Sequence, residues 1–257
     1  MIDTHCHLEY PQYKKTPREL VAEAADAGVS TIVTIGTDLE SSRTALDIAR
    51  DNESVYATVG VHPHDAKSYT QKIENAFLEA VNDPNVVAIG EIGLDYYRDL
   101  SPRDIQKKAF HAQLELASRT DKPVVIHVRE SFADAFSILC EHSDSLSGAV
   151  LHCFSEGIEE ARKVLDRGWI ISVGGVVTYK NSKMADVAAW TPLESMILET
   201  DAPYLTPVPH RGKTNRPAYV SYVYDFVANL RGIPRGDLEK KIDMTAKKFY
   251  GLVETFG

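Results

Sequence analysis

The stretch Ser101–Val128, SPRDIQKKAFHAQLELASRTDKPVVIHV, joins a helix pattern directly to a strand pattern. Ser101 is expected to cap the helix and Pro102 to lie in its first turn, and the helix should run to about Thr120. Val124–Val128 is a short β-branched run typical of a buried strand. A helix that packs against a buried strand is the unit of parallel α/β sheets.

The same alternation extends over the rest of the chain. The other strand-like runs are Met1–His5, Ser30–Ile35, Val55–Val61, Val86–Ile89, Ala149–His152, Ile170–Val173 and Met196–Glu199. Amphipathic stretches separate these runs. The first helix is predicted to open with a capping box, in which Thr16 is the N-cap, Pro17 takes the first helical position and Glu19 closes the box, and to end at Gly28.

Eight strand–helix units in 257 residues favour one α/β domain over residues 1–257, folded as a (β/α)₈ TIM barrel. An open dinucleotide-binding sheet loses its usual support, because no GxGxxG motif follows any strand-like run. The segment from Arg235 to about Gly251 predicts an extra C-terminal helix.

Composition and charge exclude several classes of protein. With 44% hydrophobic and 25% charged residues, the chain is typical of a soluble globular protein and not of a disordered one. It has no apolar run near the ~20 residues of a membrane helix and no signal-peptide pattern, so we expect no membrane association and a cytoplasmic location. Three cysteines without a CxxC motif argue against a disulfide framework. A net charge of −9 is not that of a protein that coats duplex DNA.

Histidines and acids cluster where the predicted strands end. They are His5 and His7 after the first strand, His62 after the third, Glu91 after the fourth, His127 in the fifth, His152 in the sixth and Asp201 after the eighth. The carboxyl ends of barrel strands meet at one mouth, where active sites are built. Because side chains alternate along a strand, His5 and His7 should share one face, as should Glu199 and Asp201.

Imidazoles and carboxylates together are ligands for Zn, Mn, Fe or Co, and carboxylate-rich sites also take Mg. The set exceeds the three protein ligands of a typical mononuclear catalytic zinc site and suits two ions about 3.5–4 Å apart. Glu91, from the middle of the chain, is the candidate bridge. The alternative is that each histidine is an ordinary core residue, but burying so many titratable groups without a metal is costly. His111 and His142 lie in predicted helices, where we expect surface or helix-end roles.

The motifs that surround these residues resemble those of the TatD family of metal-dependent deoxyribonucleases, within the amidohydrolase-like superfamily. They are Asp3–His7, Gly60–His64, Gly90–Tyr96, Pro123–Arg129, His152–Ser155 and Glu199–Leu205, and they run over nearly the whole chain. The segments GEIGLDY and ETDAPYL are the most specific, whereas HxH alone is weak. Arg216 departs from the Glu or Gln that relatives often carry, which changes the charge expected near the mouth.

The resemblance implies metal-dependent cleavage of DNA phosphodiesters, often from a 3′ end and on single strands. By resemblance, one ion would be held by His5, His7, Glu91 and Asp201, and a second by Glu91, His127 and His152. The ions would be Mg, Mn or Zn. We expect DNA ends or short single-stranded DNA as the substrate and a monomeric enzyme.

For the chemistry, we expect a water activated by the two metals to attack, with Asp201 as its general base and Glu91 bridging the ions. Glu199 is expected to orient a ligand histidine and not to bind metal. The candidate phosphate contacts are His62, His64, Arg129 and Arg211, the last within the basic loop 210–216. Each has a plainer alternative, namely packing for the two histidines, an ion pair with Glu130 for Arg129, and a solvated loop for Arg211.

Two other functions remain open at this point. The same metal pair could hydrolyse a small-molecule ester or amide, or an aminoacyl-tRNA ester, because fold does not fix function. Such an enzyme would show a closed, mostly apolar pocket with few cations. A scaffold protein without catalysis is the third hypothesis, but nothing in a scaffold requires an open pair of metal sites.

Overall fold

In a computed structural model that describes residues 1–11 and 13–252, the predicted strands form one eight-stranded parallel sheet. The strands are β1 (Ile2–Cys6), β2 (Thr31–Ile35), β3 (Val55–Val59), β4 (Val86–Asp95), β5 (Val124–Arg129), β6 (Ala149–Leu151), β7 (Ile170–Val173) and β8 (Met196–Leu198). Each strand pairs with the next one along the chain. This is the order that the predicted barrel requires.

A helix follows each strand, and one more closes the described chain. The helices are α1 (Pro17–Asp26), α2 (Leu39–Arg50), α3 (Gln71–Ala80), α4 (Arg103–Ser118), α5 (Phe132–His142), α6 (Ile158–Leu165), α7 (Met184–Trp190), α8 (Val220–Arg231) and α9 (Arg235–Tyr250). The fold prediction is therefore confirmed, and α9 is the predicted extra C-terminal helix. Among the described residues, no helix is long and apolar enough to cross a membrane.

The barrel closes through backbone bonds that lie beyond the end of β8. The amide of Asp201 donates to the carbonyl of His5 (2.9 Å), and the amide of His7 donates to the carbonyl of Ala202 (2.8 Å). Below them, the Thr4 hydroxyl donates to the carbonyl of Leu198 (2.9 Å). The first and last strands are therefore joined at the level where the predicted ligands lie.

The apolar core fills the space between the sheet and the surrounding helices. Phe77, Phe110, Leu114 and Tyr224 are almost completely buried there. Each large apolar side chain of this kind contributes about 1.5–3 kcal/mol by leaving water. This packing makes the barrel a rigid frame for the polar groups at its mouth.

Of the two N-caps predicted from the sequence, the one at Thr16 is present and the one at Ser101 is not. Thr16 caps α1 as predicted, since its hydroxyl accepts from the Glu19 amide (3.3 Å) and Glu19 accepts from the Thr16 amide (2.7 Å). The Ser101 cap is wrong, because α4 begins at Arg103 without a side-chain cap. The Ser101 hydroxyl instead donates to the carbonyl of His64 (2.8 Å), a tertiary bond that competes with capping.

Strand β4 continues to Asp95, well past the predicted end at Ile89. Gly93 makes this possible, because a Cβ there would lie 2.1 Å from the carbonyl oxygen of His127 on β5. Gly93 also has φ +138°, a conformation that L side chains rarely adopt. The close approach extends the β4–β5 pairing to the mouth, with Glu91 and Asp95 on either side of Gly93.

Candidate metal centre

The predicted ligands meet at the mouth of the barrel, at the carboxyl ends of β1, β4, β5, β6 and β8. His7, Glu91, His127, His152 and Asp201 line a cavity of about 620 Å³ there. His5 lies beside them and is almost completely buried. We call this space the central cavity.

One set of side chains, the first donor group, surrounds one oxygen of Glu91. His5 Nε2 lies 3.5 Å and His7 Nε2 lies 3.9 Å from Glu91 Oε2. The same two nitrogens lie 3.7 and 3.5 Å from Asp201 Oδ1. Two imidazole nitrogens and two carboxylate oxygens therefore converge from β1, β4 and the segment after β8.

The second donor group surrounds the other oxygen of the same carboxylate. His127 Nδ1 and His152 Nε2 each lie 2.7 Å from Glu91 Oε1, and 3.2 Å from each other. Glu91 thus presents one oxygen to each group. This is the position that a bridging carboxylate between two ions would take.

The donor atoms fit divalent metal ions. Three sets of side chains have ligand atoms within 4.8 Å of one another: His5, His152 and Asp201; His5, His7 and Glu91; and His62, Glu91 and His127. His5 Nε2 is buried and has no hydrogen-bond partner among the described residues, although it faces two carboxylates. A buried ring nitrogen without a partner is costly unless a ligand satisfies it.

The charge state of the carboxylates agrees with this role. Burial by itself raises the pKa of Glu91, but the surrounding histidines, His152 foremost, bring it well below its usual range. Burial acts in the same way on Asp201, and its contact with His7 leaves the pKa below its usual value. Both groups are therefore ionised at neutral pH, as metal ligands must be.

Carboxylates also lie behind three of the four candidate ligand histidines. Asp95 Oδ2 lies 3.2 Å from His127 Nε2, Glu199 Oε1 lies 3.5 Å from His152 Nδ1, and Glu9 Oε1 lies 3.7 Å from His7 Nδ1. An outer carboxylate that is hydrogen-bonded to the ring fixes its orientation and raises its basicity as a ligand. Asp95 is hydrogen-bonded to His127 in this way, whereas His152 Nδ1 and His7 Nδ1 have no hydrogen-bond partner among the described residues. Glu199, which was expected to orient a ligand histidine, also accepts from the Cys153 amide (2.7 Å).

Sequence reasoning missed Asp95 and Glu9. Asp95 is completely buried, and it accepts from the backbone amides of Tyr97 (3.0 Å) and Arg98 (2.7 Å). Its signal was its spacing, since it lies four residues after Glu91 and alternation along one strand brings both to the same side. The signal was hidden because β4 was expected to end at Ile89.

His62 lies close to Glu91, and its hydrogen bonds define which nitrogen carries the proton. Its Nδ1 accepts from the backbone amide of His64 (3.1 Å), while its Nε2 lies 3.5 Å from Glu91 Oε1. Burial lowers the pKa of His62 well below its usual value, so the ring is neutral and Nε2 carries the hydrogen. His62 therefore faces the central cavity as a hydrogen-bond donor.

The other three candidate phosphate contacts, His64, Arg129 and Arg211, do not all lie in the central cavity. His64 and Arg129 line the central cavity, and the Arg129 guanidinium lies 4.0 Å from the centre of the Tyr97 ring. His64 Nε2 lies 2.9 Å from Asp95 Oδ2. Arg211 lines a neighbouring depression instead.

Arg216, His111 and His142, which the sequence analysis singled out, lie outside the central cavity. Arg216 pairs with Glu23 of α1 (2.5 Å) and is not among the residues that line the central cavity, so its charge is balanced elsewhere. His111 and His142 lie on α4 and α5, with ring nitrogens 3.0 Å apart. As predicted for helix residues, this pair lies outside the donor groups.

Comparison with known proteins agrees with a metal-dependent hydrolase of the TatD type. Residues 2–251 match the family model described as TatD related DNase. The chain is 36% identical to the uncharacterized metal-dependent hydrolase YabD of Bacillus subtilis, over 97% of this chain and 98% of that protein. It is also 36% identical to a protein of Shigella flexneri named 3'-5' ssDNA/RNA exonuclease TatD, over 98% of this chain and 99% of that one.

Among solved structures, the fold is similar to that of YJJV, a TatD homologue from Escherichia coli K12. The TM-score is 0.91 with 32% identity, and the match covers 98% of both chains. The family model, these relatives and the barrel with its two donor groups agree with one another. The chain belongs to the TatD family of metal-dependent hydrolases.

Proposed function

We propose that this hydrolase cleaves phosphodiester bonds of single-stranded DNA from the 3′ end, with two divalent ions held by the two donor groups. The observation that carries the proposal is that Glu91 presents one carboxylate oxygen to each group, beneath a rim that contains Arg129 and His62. Two-metal sites of this kind are typical of nucleases and phosphatases. The guanidinium of Arg129 and the neutral imidazole N–H of His62 are both donors that can bind phosphodiester oxygens.

In this assignment, His5, His7, Asp201 and Glu91 would hold one ion, and Glu91, His127 and His152 the other. When bound, the ions would supply Lewis-acid stabilisation of the phosphate and lower the pKa of water. Asp95, Glu199 and Glu9 would keep the histidine rings oriented through their outer nitrogens. The ions would be Mg, Mn or Zn, because imidazole and carboxylate ligands suit all three.

The protein's own groups account for proton transfer and phosphate binding. Asp201 is ionised and lines the cavity, so its carboxylate can accept the proton of the attacking water as the water oxygen bonds to phosphorus. His62 Nε2 donates a hydrogen bond to a non-bridging phosphate oxygen, where negative charge accumulates as the bond to the leaving oxygen breaks. Arg129 and His64 bind the same phosphate from the rim.

The polarity and the single-strand preference come from the Shigella flexneri relative, whose name states 3'-5' ssDNA/RNA exonuclease. The net charge of −9 favours contact with a few nucleotides at an end over a grip on a long duplex. Every donor comes from one chain, so we propose a monomer as the active unit. We also propose that it acts in the cytoplasm.

The test is cleavage of 3′-labelled and 5′-labelled single-stranded oligonucleotides by chelated enzyme reconstituted with Mg, Mn or Zn. His127→Ala and Glu91→Ala serve as controls for the donor groups. The expected result is a metal-dependent ladder that shortens the strand from the 3′ end and is absent from both variants.

If the protein fills with metal but cleaves no oligonucleotide, DNA is not its substrate. Shortening from the 5′ end would overturn the polarity alone. Activity that survives in Glu91→Ala would overturn the two-ion arrangement.

A further inference from the structure

The mouth loop that follows β7, and the part of the loop after β8 that lies beyond Asp201, differ in charge from the other six mouth loops. Each of the first six holds a carboxylate between its strand and the next α-helix: Glu9, Asp38, Asp65, Asp99, Glu130 and Glu156. The loop after β7, residues 174–183, holds no Asp or Glu. In the loop after β8, Glu199 and Asp201 lie against the histidines of the donor groups, and residues 202–216 beyond them hold no further Asp or Glu. Apart from Arg216, which pairs with Glu23, the two stretches contain four cations: Lys180, Lys183, Arg211 and Lys213. In a chain of net charge −9, this is a local concentration of positive charge.

These loops form a depression of about 330 Å³ beside the central cavity, which we call the cationic depression. Tyr179, Lys180 and Arg211 line it, together with Asn181 and Ser182. Val176 lines both the cationic depression and the central cavity, so the two spaces adjoin. A chain that leaves the donor groups across Val176 therefore meets Lys180 and Arg211 next.

Hydrogen bonds hold the two loops together. The Tyr179 hydroxyl donates to the carbonyl of Thr206 (3.0 Å), and the Val208 amide donates to the hydroxyl of Thr178 (2.9 Å). The Arg211 guanidinium lies 4.3 Å from the centre of the Tyr179 ring. Because the pinned ring supports the guanidinium by a cation–π contact, Arg211 loses less side-chain freedom when it binds an anion.

We propose that the cationic depression binds the phosphodiester on the 5′ side of the one that is cleaved, with Lys180 and Arg211 as its contacts. This inference rests on the proposed function. The 3′-terminal nucleotide occupies the central cavity, and the remaining strand leaves over Val176. Tyr179 acts as a positioning residue for Arg211.

The test compares substrates that differ by one phosphodiester. The dinucleotide dTpT has only the bond to be cleaved, whereas dTpTpT has one more phosphodiester on its 5′ side. We expect the double variant Lys180→Ala/Arg211→Ala to lose about 10- to 100-fold in kcat/KM on dTpTpT, mainly through KM. On dTpT the change should stay within about twofold.

Two further variants refine the comparison. Arg167→Ala removes an exposed cation from the turn after α6, at the opposite end of the barrel, and should match the wild type on both substrates. Arg211→Lys keeps the charge but loses the planar stacking on Tyr179, so an intermediate effect is expected. Binding of dT₁₂ to chelated protein should show a salt slope weaker by about 1.4 in the double variant, about 0.7 per lost phosphate contact.

Equal losses on dTpT and dTpTpT, or normal cleavage of dTpTpT by the double variant, would overturn the subsite while leaving the proposed function intact. A wild-type enzyme that cleaves no oligonucleotide would instead overturn the proposed function, and the subsite with it.

Discussion

The two donor groups share Glu91 but are assembled in different ways. The second takes His127 from β5 and His152 from the position directly after β6, and these two strands are neighbours in the sheet and close in the chain. The first takes His5 from β1 and Asp201 from the segment after β8, which meet only where the barrel closes. One group therefore depends on the register of adjacent strands, and the other on closure of the whole fold.

The support behind the two groups also differs. In the second group, Asp95 is hydrogen-bonded to the outer nitrogen of His127 (3.2 Å), whereas Glu199 lies 3.5 Å from His152 Nδ1, which has no hydrogen-bond partner among the described residues. In the first group, Glu9 lies 3.7 Å from His7, and His5 has no hydrogen-bond partner on either ring nitrogen among the described residues. His127 is therefore oriented by a hydrogen bond on its outer nitrogen before a ligand arrives, whereas the outer nitrogens of His5, His7 and His152 have no such bond among the described residues.

Glu91→Ala should produce the largest effect, because it removes an oxygen from both groups at once. We expect activity to fall by about 10³-fold or more, since both sources of Lewis-acid stabilisation are disturbed. Metal analysis should show less than one tightly bound ion per chain. Glu115→Ala on the exposed face of α4 is the control and should bind metal normally.

Asp201→Asn and His127→Ala separate the two groups. Each should remove one ion and leave the other, with a loss of activity of about 10²–10³-fold. Metal titration followed by mass spectrometry of the native protein counts the ions. If either variant loses both ions together, the groups do not bind independently and the comparison fails.

Asp95→Asn tests the support behind His127. Loss of this outer carboxylate should weaken metal affinity at the second group by about 10- to 100-fold and leave the first group unchanged. Competition with a chromogenic chelator measures the two affinities. Asp99→Asn, four residues along on the exposed loop, should change neither.

Tyr224→Phe should have the smallest effect and should act through closure of the barrel. The Tyr224 hydroxyl accepts from the Ile2 amide (3.2 Å) and donates to Asp243 Oδ1 (2.6 Å), which ties β1 to α8 and α9. Its loss should cost about 1–2 kcal/mol of unfolding free energy. Calorimetry should show Tm lower by about 2–4 °C per kcal/mol, whereas Tyr56→Phe should change little.

Much of the fold followed from periodicity, because most strands contain buried β-branched residues and most helices are amphipathic. Strand β4 was the exception. Its mouth half reads GEIGLD, and glycines at 90 and 93 argue against a strand unless the neighbouring backbone is known. Only the structure shows that His127 leaves no room for a Cβ at Gly93.

The candidate ligands were accessible from sequence because strand ends in a barrel all lead to one place. Contacts between loops could not be predicted from the sequence, since the path of a loop depends on tertiary packing. This is why the bond from Ser101 to His64, in place of a cap on α4, and the position of Arg211 beside the central cavity were not predicted.

The closing bonds between His5, His7 and the segment after β8 also bear on the order in which the chain is made. Domains fold as units during synthesis from the N-terminus. His5 and His7 leave the ribosome first, but Asp201 and Ala202, which hold them in place, come after most of the barrel. A growing chain can therefore contain Glu91, His127 and His152 while its first donor group is still incomplete. A hydrolase built in this way stays inactive until synthesis is nearly finished.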